Sequence, residues 1–98
     1  MNLDADTIRL LSVLSLLKKE PKRFIELWNS GCFRSEEDLK WALNKLLYTC
    51  CIERLGTNDY GIYVLTAYGI ALLKSYPTFD LSIVKAQNEG VIQPLRRE

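Results

Sequence analysis

The stretch SEEDLKWALNKLLYT, from Ser35 to Thr49, carries the clearest helix signal in the chain. Ser35 is an N-cap residue placed to accept a hydrogen bond from the backbone N–H of Asp38, and Glu36, Glu37 and Asp38 put negative charge on the positive end of the helix dipole. Leu39, Ala42, Leu43, Leu46 and Leu47 recur at helical spacing and form one apolar face, which requires a core to pack against. The other face carries Glu37, Lys40, Trp41, Asn44, Lys45 and Tyr48, a mixed polar and aromatic surface that solvation alone does not call for.

Immediately upstream, Gly31-Cys32-Phe33-Arg34 is a four-residue link with Phe33 directed inward. Before it, Pro21 suits the entry of a short helix whose core side is Phe24, Ile25, Leu27 and Trp28, and Gly31 suits its exit. Two helices joined by so short a link have the connection length of a helix-turn-helix. Lys18, Lys19, Lys22 and Arg23, in KKEPKR, form the densest basic cluster. They are either a solvated turn that complements the end of the first helix or contacts for phosphate. That first helix is expected from Asp4 or Asp6 to Lys19, capped by Asp6 or Thr7. Its stripe of Ile8, Leu11, Leu14 and Leu17 is widened by Leu10 and Val13. A stripe so wide belongs either to a central core helix or to a helix that shares its surface with a second subunit.

Downstream of Thr49 the period changes. Cys51 to Leu55 and Ile62 to Leu65 read as strands around the turn-forming tip Gly56-Thr57-Asn58-Asp59-Tyr60-Gly61, a β-hairpin. Thr66 caps a helix from Ala67 to Tyr76, with Pro77 after its end. Phe79 to Ala86 suits a further turn or two of helix. From Gln87 the periodicity is lost, and Gly90, Pro94 and the terminal Arg96-Arg97-Glu98 read as a loosely held tail. The chain is therefore mainly α with a small β-hairpin, an α+β domain over residues 1–77 followed by a C-terminal extension over 78–98.

Composition narrows the function. The 98 residues make one modest core, and 13 basic against 12 acidic residues give a net charge of +1, so any pull on nucleic acid must be local. The apolar run from Leu10 to Leu17 is too short to span a bilayer, and Asp4 and Asp6 stand where a signal peptide has basic residues. An intracellular, cytoplasmic protein without membrane partners is expected. Histidine is absent, and Cys32, Cys50 and Cys51 lack CxxC spacing, which argues against zinc and any other metal or cofactor. Without histidine the commonest general base is also missing, so an enzyme is not expected.

The order helix-helix-helix-strand-strand-helix, read with two motifs, resembles the winged helix-turn-helix family. Leu43 to Arg54, LNKLLYTCCIER, is similar to the passage from third helix to first wing strand, L..L...G.I.R. Tyr63 to Leu73, YVLTAYGIALL, is similar to the signature Y.LT..G..LL. Tyr63 and Leu65 would face the core, Thr66 would cap the next helix and Gly69 would allow close packing. Cys50 departs from the pattern by standing where glycine is common; if that position needs positive φ, Cys50 is strained.

The resemblance implies a small DNA-binding transcription regulator of bacterial, archaeal or archaeal-viral type, working as a homodimer through its first and C-terminal helices. It implies that the helix from Ser35 enters the major groove of double-stranded DNA. Lys40, Trp41, Asn44 and Lys45 would face the bases, with Asn44 suited to adenine and the lysines to guanine or phosphate. Arg34 and Ser35 would hold a phosphate at the helix start, and Lys22 and Arg23 would add others. Charge opposes this. From Lys22 to Val64, Lys22, Arg23, Arg34, Lys40, Lys45 and Arg54 are cancelled by Glu26, Glu36, Glu37, Asp38, Glu53 and Asp59, and the wing tip has an acid and no base. The alternative is a winged-helix interaction module that docks a protein on Trp41. Both Trp41 and Tyr48 can instead wrap onto the core, the expected outcome for Tyr48.

Overall fold

The structure, a computed structural model, describes residues 3–57 and 60–96, with side chains described through Asn88. Five helices and a small sheet follow one another as α1 (Ala5–Lys19), β1 (Lys22–Arg23), α2 (Phe24–Trp28), α3 (Glu36–Tyr48), β2 (Ile52–Leu55), β3 (Ile62–Leu65), α4 (Ala67–Lys74) and α5 (Leu81–Arg96). This is the winged-helix architecture. The sheet is antiparallel with β3 between β1 and β2, and pairs Ile52 with Leu65 and Arg54 with Tyr63 across the wing. Its third strand is new. Lys22 and Arg23, expected as a turn running into the second helix at Pro21, pair with Tyr63 and Ile62 instead, and α2 starts only at Phe24. A two-residue strand is too short to leave a periodic signal, and its partner lies some forty residues away.

The core is built around α1, whose Leu11, Val13, Leu14, Leu16 and Leu17 are buried and which packs against α3, α4, α5 and β3. The wide stripe of α1 is thus that of a central helix. Ser12 is also fully buried and is satisfied by donating to the Ile8 carbonyl at 2.7 Å. Asp4, not Asp6 or Thr7, caps α1 by accepting from the Thr7 N–H at 2.7 Å. Hydrogen bonds from Thr7 hold the Asp4 carboxyl below its usual value. Leu27, Cys32, Phe33, Leu39, Ala42, Leu43, Leu46 and Ile52 complete the core from the helix-turn-helix and the wing.

The C-terminal segment departs from expectation. Where the sequence reads as a tail from Gln87, the backbone continues as one helix to Arg96, with Gly90 and Pro94 inside it. Asp80 caps its start by accepting from the Ser82 N–H and hydroxyl at 2.9 and 2.6 Å. Val84 and Asn88, one turn apart, are both buried, and these tertiary contacts override the weak local signal. Arg97 and Glu98 lie outside the described residues.

The junction between α3 and the wing is the tightest place in the fold. Cys50 takes φ 63°, the left-handed conformation that ends α3. The Thr66 hydroxyl donates to the Cys50 carbonyl at 2.6 Å while accepting from the Gly69 N–H at 3.3 Å, and the Thr66 N–H donates to the Cys51 carbonyl at 3.1 Å. Gly69 lies flat on that same carbonyl, so a Cβ there would overlap the Cys51 oxygen and press on Leu65 Cδ1. Gly69→Ala is therefore expected to destabilise the protein by about 3 kcal/mol, since backbone cannot step aside. Cys50→Gly is expected to stabilise it by about 0.5–1 kcal/mol, because relief of about 1–2 kcal/mol of left-handed strain exceeds the entropy cost of glycine. Urea denaturation of the two variants measures both.

Candidate nucleic-acid interface

The exposed side of α3 separates into two rows. Glu36, Lys40 and Asn44, spaced four residues apart, face a cleft of about 800 Å³ between α3, the start of α2 and the sheet. Leu43 and Tyr63 form its apolar floor, and Arg23 and Arg54 stand on its other wall. Glu37, Trp41 and Lys45 form the second row, turned away from the cleft. Among the described residues, three cations and one carboxylate thus line the cleft, although the surrounding segment is neutral in sum.

Arg54 reaches the cleft by sheet register. Ile52 is buried, so Arg54, two residues on, points to the same side and sits opposite Tyr63, with its guanidinium carbon 5.9 Å from the ring centroid. Gly61 makes room for it, because a Cβ there would meet the Arg54 guanidinium. Arg23 is fixed by the start of α2, where its backbone N–H donates to Glu26 Oε1 at 2.8 Å. Arg54 was not among the expected site residues. The period-two pattern from Ile52 was the signal that could have found it.

The acids at the start of α3 are partly withdrawn from the cleft. Arg9 of α1 donates to Asp6 at 2.6 Å, lies 3.5 Å from the Asp38 carboxylate and stacks 5.9 Å from the centroid of Trp41. Asp38 and Trp41, one turn apart, are thus both turned toward α1. The spacing of residues in α3 gives no hint of this, since the partner lies in another helix.

Of the expected contacts, the cleft collects Arg23, Lys40 and Asn44. It does not collect the others. Lys22 lies 3.3 Å from Glu20 and is the register partner of Tyr63 in the sheet. The Ser35 hydroxyl is occupied as the α3 cap, accepting from the Asp38 N–H at 3.1 Å. Arg34 lines a separate cleft of about 350 Å³ with Arg9, Asp38 and Asn88. Trp41 is 39% exposed under Arg9, Lys45 is exposed outside the cleft, and Tyr48, expected to fold onto the core, is 86% exposed. Asn58 and Asp59 of the wing tip lie outside the described residues, so the expected acidic tip is not described.

Cys32 and Cys51 are buried and Cys50 is exposed, all as free thiols. Burial raises the Cys32 thiol above its usual value. Among the described residues no group of three His, Cys, Asp or Glu is placed to hold a metal, and no helix is long and apolar enough to cross a membrane.

The fold is similar to that of a solved PadR family transcription regulator from the hypervirulent Clostridium difficile strain R20291. The two share 18% identity at a TM-score of 0.61, over 91% of this chain and 94% of that one. At that identity the likeness establishes the winged-helix fold. No protein-family model and no curated protein sequence matches the chain.

Gly61 and Gly69 offer a contrast that checks the geometry of the cleft. Among the described residues, the atoms nearest a Cβ at Gly61 belong to the Arg54 side chain and not to backbone, so Gly61→Ala is expected to cost less in urea denaturation than Gly69→Ala while displacing Arg54 from Tyr63. A loss as large as that expected of Gly69→Ala would contradict this packing.

Proposed function

We propose that the chain is a DNA-binding transcription regulator that lays α3 in the major groove and acts as a homodimer. The observation that carries this is the sorting of charge into the cleft beside α3. Among the described residues, Arg23, Lys40 and Arg54 line it with one carboxylate, Glu36, in a chain that is almost neutral. Phosphate neutralisation supplies most of the affinity of a DNA-binding protein, so a local excess of cations beside the reading helix matters more than the total. Asn44 projects into the same cleft, with two donors and one acceptor in the amide geometry that suits the adenine edge. The pairing of Arg9 with Asp38 supports the reading too, because it partly neutralises one of the three acids at the helix start.

Pairing of two chains would combine two weak half-site readers on one palindromic site. Most of the apolar surface of α1 is used inside the chain. Among the described residues, Leu3 and Ile8 line a shallow cleft with Phe79 and Ile83, at the start of α1 and of α5, which offers apolar surface for such a pairing. A protein that stays monomeric in solution and on DNA would remove this part of the proposal.

The test is retention of promoter-region DNA against random genomic fragments over a range of salt. With three phosphate contacts per subunit, binding is expected to fall with a log–log slope of about −5 for a dimer, and Arg54→Ala or Lys40→Ala to reduce that slope by about 2. Asn44→Ala is expected to cost about 1–3 kcal/mol of preference for the promoter fragment over random DNA. No retention at low salt would sink the proposal and favour a protein that docks on Trp41.

A further inference from the structure

Two buried polar side chains stand out among the described residues, Ser12 and Asn88. Ser12 is satisfied within its own helix. Asn88 is not: its carboxamide Nδ2 donates at 3.2 Å to the carbonyl of Gly31, 57 residues earlier in the chain. Gly31 opens the short link to α3, in the left-handed conformation at φ 79°. The three residues that follow hold Cys32 and Phe33 in the core and lead directly to Ser35, the α3 cap. Val84, one turn before Asn88, lines the same small cleft as Phe33. The link into α3 is thus gripped from α5, while Arg9 grips the first turns of α3 itself from α1.

We propose that Asn88 is a positioning residue for α3, a bond through which the placement of the C-terminal helix sets the placement of the DNA-reading helix; the DNA part of this rests on the function proposed above. A buried carboxamide that loses its acceptor costs more than the bond contributes, so α5 remains docked only while the Gly31 carbonyl stays in place. The link is short and its side chains are packed. A displacement of α5 therefore reaches the α3 cap and is not absorbed on the way. Anything that binds α5, a second copy of the chain included, would then act on DNA affinity without touching the groove.

Asn88→Asp keeps the shape of the side chain, but in its ionised form accepts and cannot donate; Asn88→Ala removes the group. Both are compared with wild type, and the amides of α1 in the same variants report any change in overall stability. The first readout is hydrogen exchange at the amides of Gly31, Cys32 and Asp38, each of which donates within the link or the α3 cap. Loss of one hydrogen bond is expected to speed exchange there about fivefold in both Asn88 variants relative to wild type, beyond any change at the α1 amides. The second readout is DNA retention by variants that are fully folded. Affinity is expected to fall about tenfold with the salt slope unchanged, because no phosphate contact is lost. Exchange in the link speeded no more than at the α1 amides, or wild-type affinity in both variants, would overturn the proposal. If the wild-type protein retains no DNA, the function fails separately, and the exchange comparison still decides whether Asn88 holds the link.

Discussion

One threonine hydroxyl holds the two halves of the domain in register. Thr66 donates to the Cys50 carbonyl and accepts from the Gly69 amide, so the end of α3 and the start of α4 are fixed by the same oxygen. Gly69 presses its backbone against the carbonyl of Cys51, which leaves no room for a side chain. The direction in which the wing leaves α3 follows from these contacts, and with it the width of the cleft in which Lys40 and Arg54 face each other. The two sequence motifs at Leu43–Arg54 and Tyr63–Leu73 are the two sides of this joint. Thr66 and Gly69 of the second motif are explained by the carbonyls of Cys50 and Cys51 in the first.

The joint matters to the proposed function because the chain has almost no net charge with which to attract a polyanion. A neutral protein can engage a polyanion only if folding sorts its charges, and here folding does so in three places. Sheet alternation puts Arg54 on the cleft side and Glu53 on the other. Helical spacing puts Glu36, Lys40 and Asn44 in one row. Arg9 draws Asp38 toward α1, which also places a cation over Trp41. Coulomb interaction at the range of a Debye length, about 8–10 Å in physiological salt, depends on such local arrangement more than on totals.

Much of this was legible in the sequence, and what was not has common physical causes. The helix-turn-helix, the wing, the Thr66 cap and the strain at Cys50 all rest on local patterns, namely caps, periods and turn residues. What the sequence hid depends on contacts between distant segments. The β1 strand is too short to have a period and exists because β3 offers it an edge. The last ten residues of α5 look like a tail because Gly90 and Pro94 are poor helix formers, yet the helix continues beyond its anchor at Asn88 on Gly31. Within the site, Lys40, Asn44 and Arg23 were foreseeable from type and spacing. Arg54 required the strand register, and the roles of Arg9 and Trp41 required knowing that α1 lies against that side of α3. Tyr48 failed for a different reason, since a single aromatic at the end of a helix carries no signal of which way it turns.

The central claim is that the cleft between α3 and the wing is the surface that meets DNA. Titration of the isotopically labelled protein with a duplex from its own promoter region, followed by NMR residue by residue, tests it most directly. The account predicts that the shifts concentrate on Glu36, Lys40, Asn44, Arg54 and Arg23, and leave Tyr48 unmoved. Shifts centred on Trp41 and Tyr48, or none at low salt, would contradict it.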